Sequence, residues 1–385
     1  MPSRLDPFDP TDTALDARLS AVDIAAYGKT RNHLSGKVTR LSPYITHGFI
    51  SIPELFERLH KLTLADKLAF EFGWREFFHH VWSREGDRIL KDMRPGLPGV
   101  RYSDHLPDDI REGRTGIAAI DRAVHQLYQT GYLHNHARMW IASYVVHLRK
   151  VHWRAGADWM YAHLLDGDLA SNHLSWQWVA ATFSGKPYLF NAENVARYAP
   201  ADWHCAGSVI DTSYEALEHI ARSNDTVKPS ASLVGAEEPD LLAEPATQRA
   251  TAMPKAEQIR LVHPWMLDSR PFEGLRLGVI HLPFHARFPW SGLRWRFVMD
   301  RMEATTDAFF VGDLSELTNM LSETPHVEST ATLNPGYREA LPSLCSQLGD
   351  APRHFANPAK TCRSFSAFWA QCGGDDALAK RGWHR

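Results

Sequence analysis

The sequence is short of several things that would otherwise assign it to a class. Its 385 residues include only four cysteines, Cys205, Cys345, Cys362 and Cys372, and none of them form a CxxC pair. That argues against a disulfide framework and favours free thiols over a zinc or iron–sulfur site. Long apolar runs are also missing. The longest, such as Met139 to Val146 (MWIASYVV), fall far short of the roughly 20 residues that span a bilayer. The opening MPSRLDPFDPTDT has no apolar signal core, so a cytoplasmic location is expected. Neither sign of charge is in excess: 42 Lys and Arg against 45 Asp and Glu leave a net charge of -3. A generally basic, histone-like binder is excluded, while a local basic groove is not. Internal repeats and low-complexity tracts are absent too. With 44% apolar and 23% charged residues, the chain is globular rather than disordered, and its length suits about two or three domains.

Tryptophan and histidine are plentiful: 13 and 21 residues, of which eight Trp and fifteen His precede residue 225. Composition alone favours packing, since indole buries large area. The sharper alternative is an aromatic site that holds a planar ligand or conducts electrons.

Three textures follow one another along the chain. From about Leu15 to Ser223 the apolar spacing is helical. Ile117, Ile120, Val124, Leu127 and Tyr128 recur at helical intervals ahead of Gly131, and Ile52–Leu62 and Leu68–Trp82 read alike. Residues 224–259 are rich in Pro, Ala, Ser and Glu and read as a linker or an extended wrap. Beyond them LRLGVIHL (Leu275–Leu282) and AFFV (Ala308–Val311) read as strands, alternating with helices at Ser291–Ala304 and Leu314–Leu321. Strand–helix–strand–helix order predicts a small α/β domain with parallel pairing.

The chemistry lies in the helical part. Glu71, Trp74 and Arg75 in EFGWREF fall at i, i+3 and i+4 and share a helix face. Together they suit a ligand with a flat ring and an anionic group, although a surface ion pair beside a packed Trp explains them as well. Asn135, Arg138 and Met139 in GYLHNHARM repeat that spacing. They offer an amide, a guanidinium and a soft contact to a ring, with a core-facing Met as the alternative. The densest stretch is LLDGDLASNHLSWQWV, Leu164–Val179. Asp166, Gly167 and Asp168 read as a tight turn with Asp168 as helix N-cap. Asn172 and Trp176 follow it at four and eight residues and share its face, while Trp176 and Trp178 flank Gln177. Capping explains Asp168 alone. Finally Val38, Thr39, Arg40, Leu41 and Ser42 in VTRLSPY put hydroxyls, an Arg and backbone amides just ahead of a helix, as a pyrophosphate requires. Many loops share that string.

In this order VTRLSPYITHG, FEFGWREF, TGYLHNHARM, Trp153 and DGDLASNHLSWQWVA closely resemble the flavin-binding helical domain of the photolyase/cryptochrome family, over about residues 20–205. The resemblance implies FAD in a U-shaped conformation inside an all-helical domain, with its rings at the bottom of a cavity open to DNA. It places Tyr27 and Val38 to Ser42 at the phosphates and ribose. Arg75, Asn135 and Arg138 would line the flavin, and Asp166, Gly167 and Asp168 would hold the ring edge and the ribityl or adenine groups. Asn172 falls where the family has the residue facing flavin N5, and an amide there resembles photolyases more than light-sensing cryptochromes. The family's chemistry is light-driven electron transfer from reduced FAD to a cyclobutane pyrimidine dimer flipped out of the DNA stack. Glu71, Trp74, Met139 and Trp178 occupy the lesion-contacting positions. Trp176 and Trp153 occupy the first two steps of the tryptophan chain, and its third member is missing near residue 100, where Tyr102 is the nearest aromatic.

Three departures stand out. The family's antenna-binding α/β domain usually precedes the helical one, whereas here a short α/β segment follows it, so no antenna chromophore is implied. His136 stands where cyclobutane-dimer photolyases often have an Arg reaching a DNA phosphate. The segment after Trp178, ATFSGKPYLFNAENVARY, is shorter than the loop that wedges into duplex DNA. The expectation is therefore a mainly α protein: a helical FAD-binding domain at 1–223, a linker at 224–259 and a small α/β domain at 260–385. Its expected activity is that of a deoxyribodipyrimidine photo-lyase using FAD and no metal. UV-damaged DNA, single-stranded by preference, is its expected partner, and no membrane is involved. The alternative is a cryptochrome-like sensory or redox flavoprotein without repair. The role of the last domain and the oligomeric state are not written in these motifs.

Overall fold

The computed structural model describes residues 8–229, 235–245 and 256–373. Its contacts form two compact units. One comprises Met1–Ala21, Thr39–Ser83 and Asp240–Arg385, the other Val22–Val38 and Arg84–Pro239.

The first unit is built on a five-stranded sheet. Its strands are β1 (Gln258–Val262), β2 (Leu275–His281), β3 (Ala308–Gly312), β4 (His326–Thr330) and β5 (Gln347–Gly349), in the order β3-β2-β1-β4-β5. Every pairing is parallel, as the alternation of strands and helices predicts. Leu277 to His281 of β2 are buried without a break, because helices and loops cover both faces of a parallel sheet and leave no solvent side to alternate with. Gly278 is dictated by packing: a Cβ there would lie 2.8 Å from the Phe309 ring on β3. The crossover from β2 to β3 contains the helix Gly292–Thr305, whose N-cap Ser291 accepts from Arg294 N. The expected helix over Leu314–Leu321 is a 3-10 turn, Leu314–Glu316, continued by the four-residue helix Leu317–Met320.

The early part of the chain packs onto this crossover helix. Phe49 stacks on Phe297 with centroids 5.4 Å apart, and Tyr44 meets the same ring edge-on. His47 bonds Pro264 O through Nδ1 at 2.6 Å, and Leu267 N returns a bond to His47 O. From Thr39 onward the VTRLSPYITHG motif therefore belongs physically to the sheet unit.

The second unit is helical. Its core is formed by Ile120, Val124 and Leu127 with Trp140, Ile141, Trp153, Met160 and Trp176. The helix Ala118–Thr130 stops at Gly131, which takes φ 63° and donates to Leu127 O. A left-handed residue of this kind satisfies an end carbonyl at no Cβ cost. Asn135–Ser143, Trp153–His163 and Leu169–Val179 follow. Part of the Pro- and Glu-rich segment lies along this unit as an extended wrap. Val227 N donates to Leu148 O, Ala236 N to Glu112 O, and Glu238 pairs with Arg111 and His163. All four cysteines are free. Among the described residues no helix is long and apolar enough to cross a membrane.

One histidine ties the centre of the sheet together. His263 directly follows β1 and is buried; its Nε2–H donates to Thr330 O at the end of β4, and its Nδ1 accepts from Trp265 N. A neutral ring satisfies both bonds, and burial pushes the pKa down from 6.5 to about 4. Because the unfolded chain binds this proton more readily, the stabilisation is complete above pH 6.5 and is lost as pH falls toward 4. At full loss it amounts to about 3 kcal/mol. Urea unfolding between pH 7 and 4 should show this fall, and His263→Gln should flatten it. Parallel curves for the two proteins would show that His263 does not titrate with unfolding.

Candidate functional site

In the helical unit the Leu164–Val179 stretch folds as its residues demand. Gly167 N donates to Leu164 O to close the turn, and Asp168 caps the next helix by accepting from Ser171 N at 2.7 Å. Asp166, buried in the same turn, receives Arg138 Nη2 on both carboxylate oxygens at 3.0 and 2.7 Å. Arg138 Nε is held by Leu133 O at 2.9 Å, so the guanidinium is fixed from two sides. Asn135 is exposed at the start of its helix and bonds Met139 Sδ at 3.4 Å. Asn172 donates its amide Nδ2 to Ala157 O at 2.8 Å. That bond orients the amide and leaves Oδ1 as the acceptor.

The two predicted relay indoles are both buried. Trp176 rests on Gly156, where a Cβ would lie 2.3 Å from the indole ring. No side chain larger than hydrogen fits. Trp153 donates Nε1–H to Asp92 Oδ1 at 2.6 Å. His173 meets Trp153 edge-on at 6.2 Å and faces Asp158 Oδ1 through Nε2 at 2.9 Å and Leu169 O through Nδ1 at 3.0 Å. Burial pushes the Asp158 carboxyl up, but the bonds from His173 and Arg154 outweigh it and hold the group below its ordinary value. Trp178 differs from both relay indoles. It is 36% exposed and tilts against Tyr188 at 5.8 Å. Tyr27 and Val38 are half-buried in this unit.

The remaining predicted residues belong to the sheet unit. Arg40 takes φ 52°, a left-handed conformation unusual for a residue other than glycine, and Leu41 behind it is fully buried. Thr39 Oγ1 accepts from Leu41 N, and Ser42 opens the short helix Ser42–Thr46. Glu71, Trp74 and Arg75 are half-buried on the helix Lys67–Glu85. One face of Trp74 is covered, stacking on Phe365 at 4.1 Å and 9°. Phe365 opens the helix Phe365–Gln371, whose Trp369 packs over Gly73. One turn along, buried Glu76 accepts from His354 N and Phe355 N, at 2.7 and 3.1 Å.

Residues 68–204 match the family described as the FAD binding domain of DNA photolyase. This region of the chain is similar to the FAD-binding domain of the photolyase/cryptochrome family. A deoxyribodipyrimidine photo-lyase of Streptomyces griseus is 36% identical over 162 residues, which is 41% of this chain and 36% of the relative. A chloroplastic/mitochondrial cryptochrome DASH of Ostreococcus tauri is 30% identical over 236 residues, 58% of this chain and 43% of the relative. A solved cryptochrome from Synechocystis superposes at a TM-score of 0.45 and 25% identity, over 50% of this chain and 44% of that one. The matched stretch spans less than half the length of each.

The donor set of this photolyase-family region fits FAD. The Arg138–Asp166 pair, the Asp168 turn and the oriented Oδ1 of Asn172 supply donor and acceptor groups to a hydrogen-bonding ring and its polyhydroxylated chain. Motif reading missed Asp92, Gly156, Asp158 and His173. Asp92 lies 61 residues from the indole it bonds, and no local spacing betrays such a pair.

The turn yields a test. Asp168→Ala removes an N-cap worth about 0.5–2 kcal/mol, and Asp166→Ala strands Arg138. Both variants should purify with less FAD, read as flavin absorbance per protein, and Asp168→Ala should also unfold at lower urea. Full flavin occupancy in the double variant would place the cofactor elsewhere.

Proposed function

We propose that the protein is a light-driven DNA repair flavoprotein, a deoxyribodipyrimidine photo-lyase that splits cyclobutane pyrimidine dimers and prefers single-stranded DNA. The observation that carries this reading is Trp178, which leaves an indole in water on the helix that also bears Asn172 and Trp176. A solvent-facing aromatic of this size is suited to stacking on an unpaired base. The photo-lyase relative supports the same substrate class by its name.

Bound FAD supplies the one-electron chemistry that opening a cyclobutane ring requires. The protein's share is binding, orientation and proton placement. Asp166, held by Arg138, and Asp168, held by its own helix, present carboxylates that are fixed before the ligand arrives, so little ordering entropy opposes binding. Asn172 offers an acceptor already aimed by its bond to Ala157 O. Trp178 and Met139 contact the bases of the dimer, and the proton shared with its carbonyls is assigned to Glu71 by the family resemblance. His136 supports the single-strand preference: burial pushes its pKa down to about 4, so it brings no positive charge to a backbone phosphate near neutrality.

A second reading, a cryptochrome-like flavoprotein without repair, is favoured by Phe365, which covers one face of Trp74. Cryptochrome DASH proteins stand among the relatives at similar identity.

Illumination of the reduced protein with dimer-containing oligonucleotides separates the two. Single strands should be bound and repaired better than duplexes, because unstacking a paired base costs a few kcal/mol. Trp178→Ala should weaken damaged-strand binding by about 1–3 kcal/mol, and Glu71→Gln should lower the yield per photon without releasing FAD. Equal repair of both strand forms at the same salt would refute the preference. Repair of neither form, with reduced flavin verified by its spectrum, would establish the second reading.

A further inference from the structure

Three aromatic residues of the helical unit are candidates to supply an electron to a photo-oxidising flavin: Trp176, Trp153 and Tyr102. They differ in what surrounds the hydrogen that each must lose. An oxidised indole or phenol is a far stronger acid than its neutral parent, and the hole is trapped when an acceptor within hydrogen-bond reach takes the proton.

Trp176 Nε1 is buried with no acceptor among the described residues. Its radical cation can pass a hole on but cannot trap it. Tyr102 Oη is equally buried and also has no partner there. Burial, with Asp92 adding to it, pushes that phenol up to about 12, so its proton is held more tightly than usual. Trp153 is the opposite case. Its Nε1–H points at the Asp92 carboxylate at 2.6 Å, a short charge-assisted bond. Asp92 is 44% exposed on its side chain, and His152 Nε2 lies 3.4 Å from the same oxygen. Trp176 in turn sits on Gly156, one helical turn along from Trp153.

From this geometry we propose that Trp153 is the terminal electron donor of the chain, with Asp92 as the proton acceptor that traps its oxidised form. The inference rests on the reading of a bound flavin fed through Trp176. A flavin held at the site would supply the one-electron oxidant on illumination, and Trp176 would be the residue that gives it an electron. Trp153 gives one electron to the Trp176 radical cation, which returns to neutral indole. The N–H bond of Trp153 breaks and its proton passes to Asp92 Oδ1, leaving a neutral indolyl radical beside a neutral carboxylic acid. An external thiol returns the electron, and Asp92 returns the proton. Tyr102 takes no part, although it is the aromatic nearest the place of the missing third tryptophan.

Transient absorption of the flavin-loaded protein after a flash reads the protonation state of the tryptophan radical directly. The parent should form the deprotonated radical, more slowly in heavy water, and Tyr102→Phe should behave identically. Asp92→Asn should hold the radical cation, which recombines, so that flavin photoreduction under steady light falls about tenfold. Asp92→Glu should restore the deprotonated radical, separating the proton acceptor from a merely structural contact. In nitrogen-15 spectra without light, the Trp153 indole resonance should shift in Asp92→Asn and return toward its parent position in Asp92→Glu. Deprotonation at the parent's rate in folded Asp92→Asn would overturn the proposal alone. So would a tyrosyl radical in the parent that disappears in Tyr102→Phe. Absence of any tryptophan radical in the parent, with oxidised flavin bound, would overturn the reading through Trp176 and this proposal with it.

Discussion

Everything that the helix Leu169–Val179 can present depends on how its buried side rests on the helix Trp153–His163. Three contacts fix that interface: Trp176 on the bare backbone of Gly156, Asn172 on the carbonyl of Ala157, and His173 between Trp153 and Asp158. Each removes a different freedom. The glycine contact sets the approach of the helices, because a methyl group would already collide. The carbonyl bond sets the orientation of the amide. The His173 bonds set the rotation of a ring that would otherwise bury two polar atoms without partners, at a cost of about 1–3 kcal/mol for each atom left unpaired. Asn172 thus becomes an acceptor at a defined place as a by-product of packing.

The polar hydrogens of three aromatic side chains in the helical unit differ in their partners. Trp153 gives its N–H to a carboxylate, whereas Trp176 and Tyr102 keep theirs in dry surroundings without partners among the described residues. A folded protein normally pays for such orphaned donors. The N–H of Trp153 meets a carboxylate instead, and that difference is what the proposed split between Trp176, which passes charge on, and Trp153, which releases a proton, rests on. The contrast lies in the partners, since two of the three side chains are chemically the same.

The sheet unit poses a different constraint. Its long helix Lys67–Glu85 buries Phe72, Phe77, Phe78 and His80 and receives the helix Phe365–Gln371 at Gly73 and Trp74. Glu76 anchors the segment leading to that helix by accepting two backbone N–H groups, which satisfies a carboxylate that burial otherwise drives toward its neutral form. The residues around position 360 therefore have a packing role. They finish the packing of a helix laid down almost three hundred residues earlier and occupy one face of the Trp74 indole.

Local features of the sequence were enough to determine a good deal. Helical periodicity and Gly131 located the helix Ala118–Thr130, the apolar run at Leu275 located a parallel strand, and Asp168 announced itself as an N-cap. The motifs from VTRLSPY to SWQWV located the family and with it the flavin, because they lie in order along one chain and residues 68–204 match that domain. All of these signals are carried by residues within a turn or two of one another, where backbone sterics and side-chain spacing act directly. Tertiary structure alone decided that Thr39–Ser83 joins the sheet, that Phe365 covers Trp74, and that Asp92 serves Trp153. Those pairings join residues separated by 61 positions or by several hundred, with no periodicity between them. Only the burial of apolar surface and the demand that buried donors find acceptors bring such residues together, and neither can be evaluated until the chain has closed on itself.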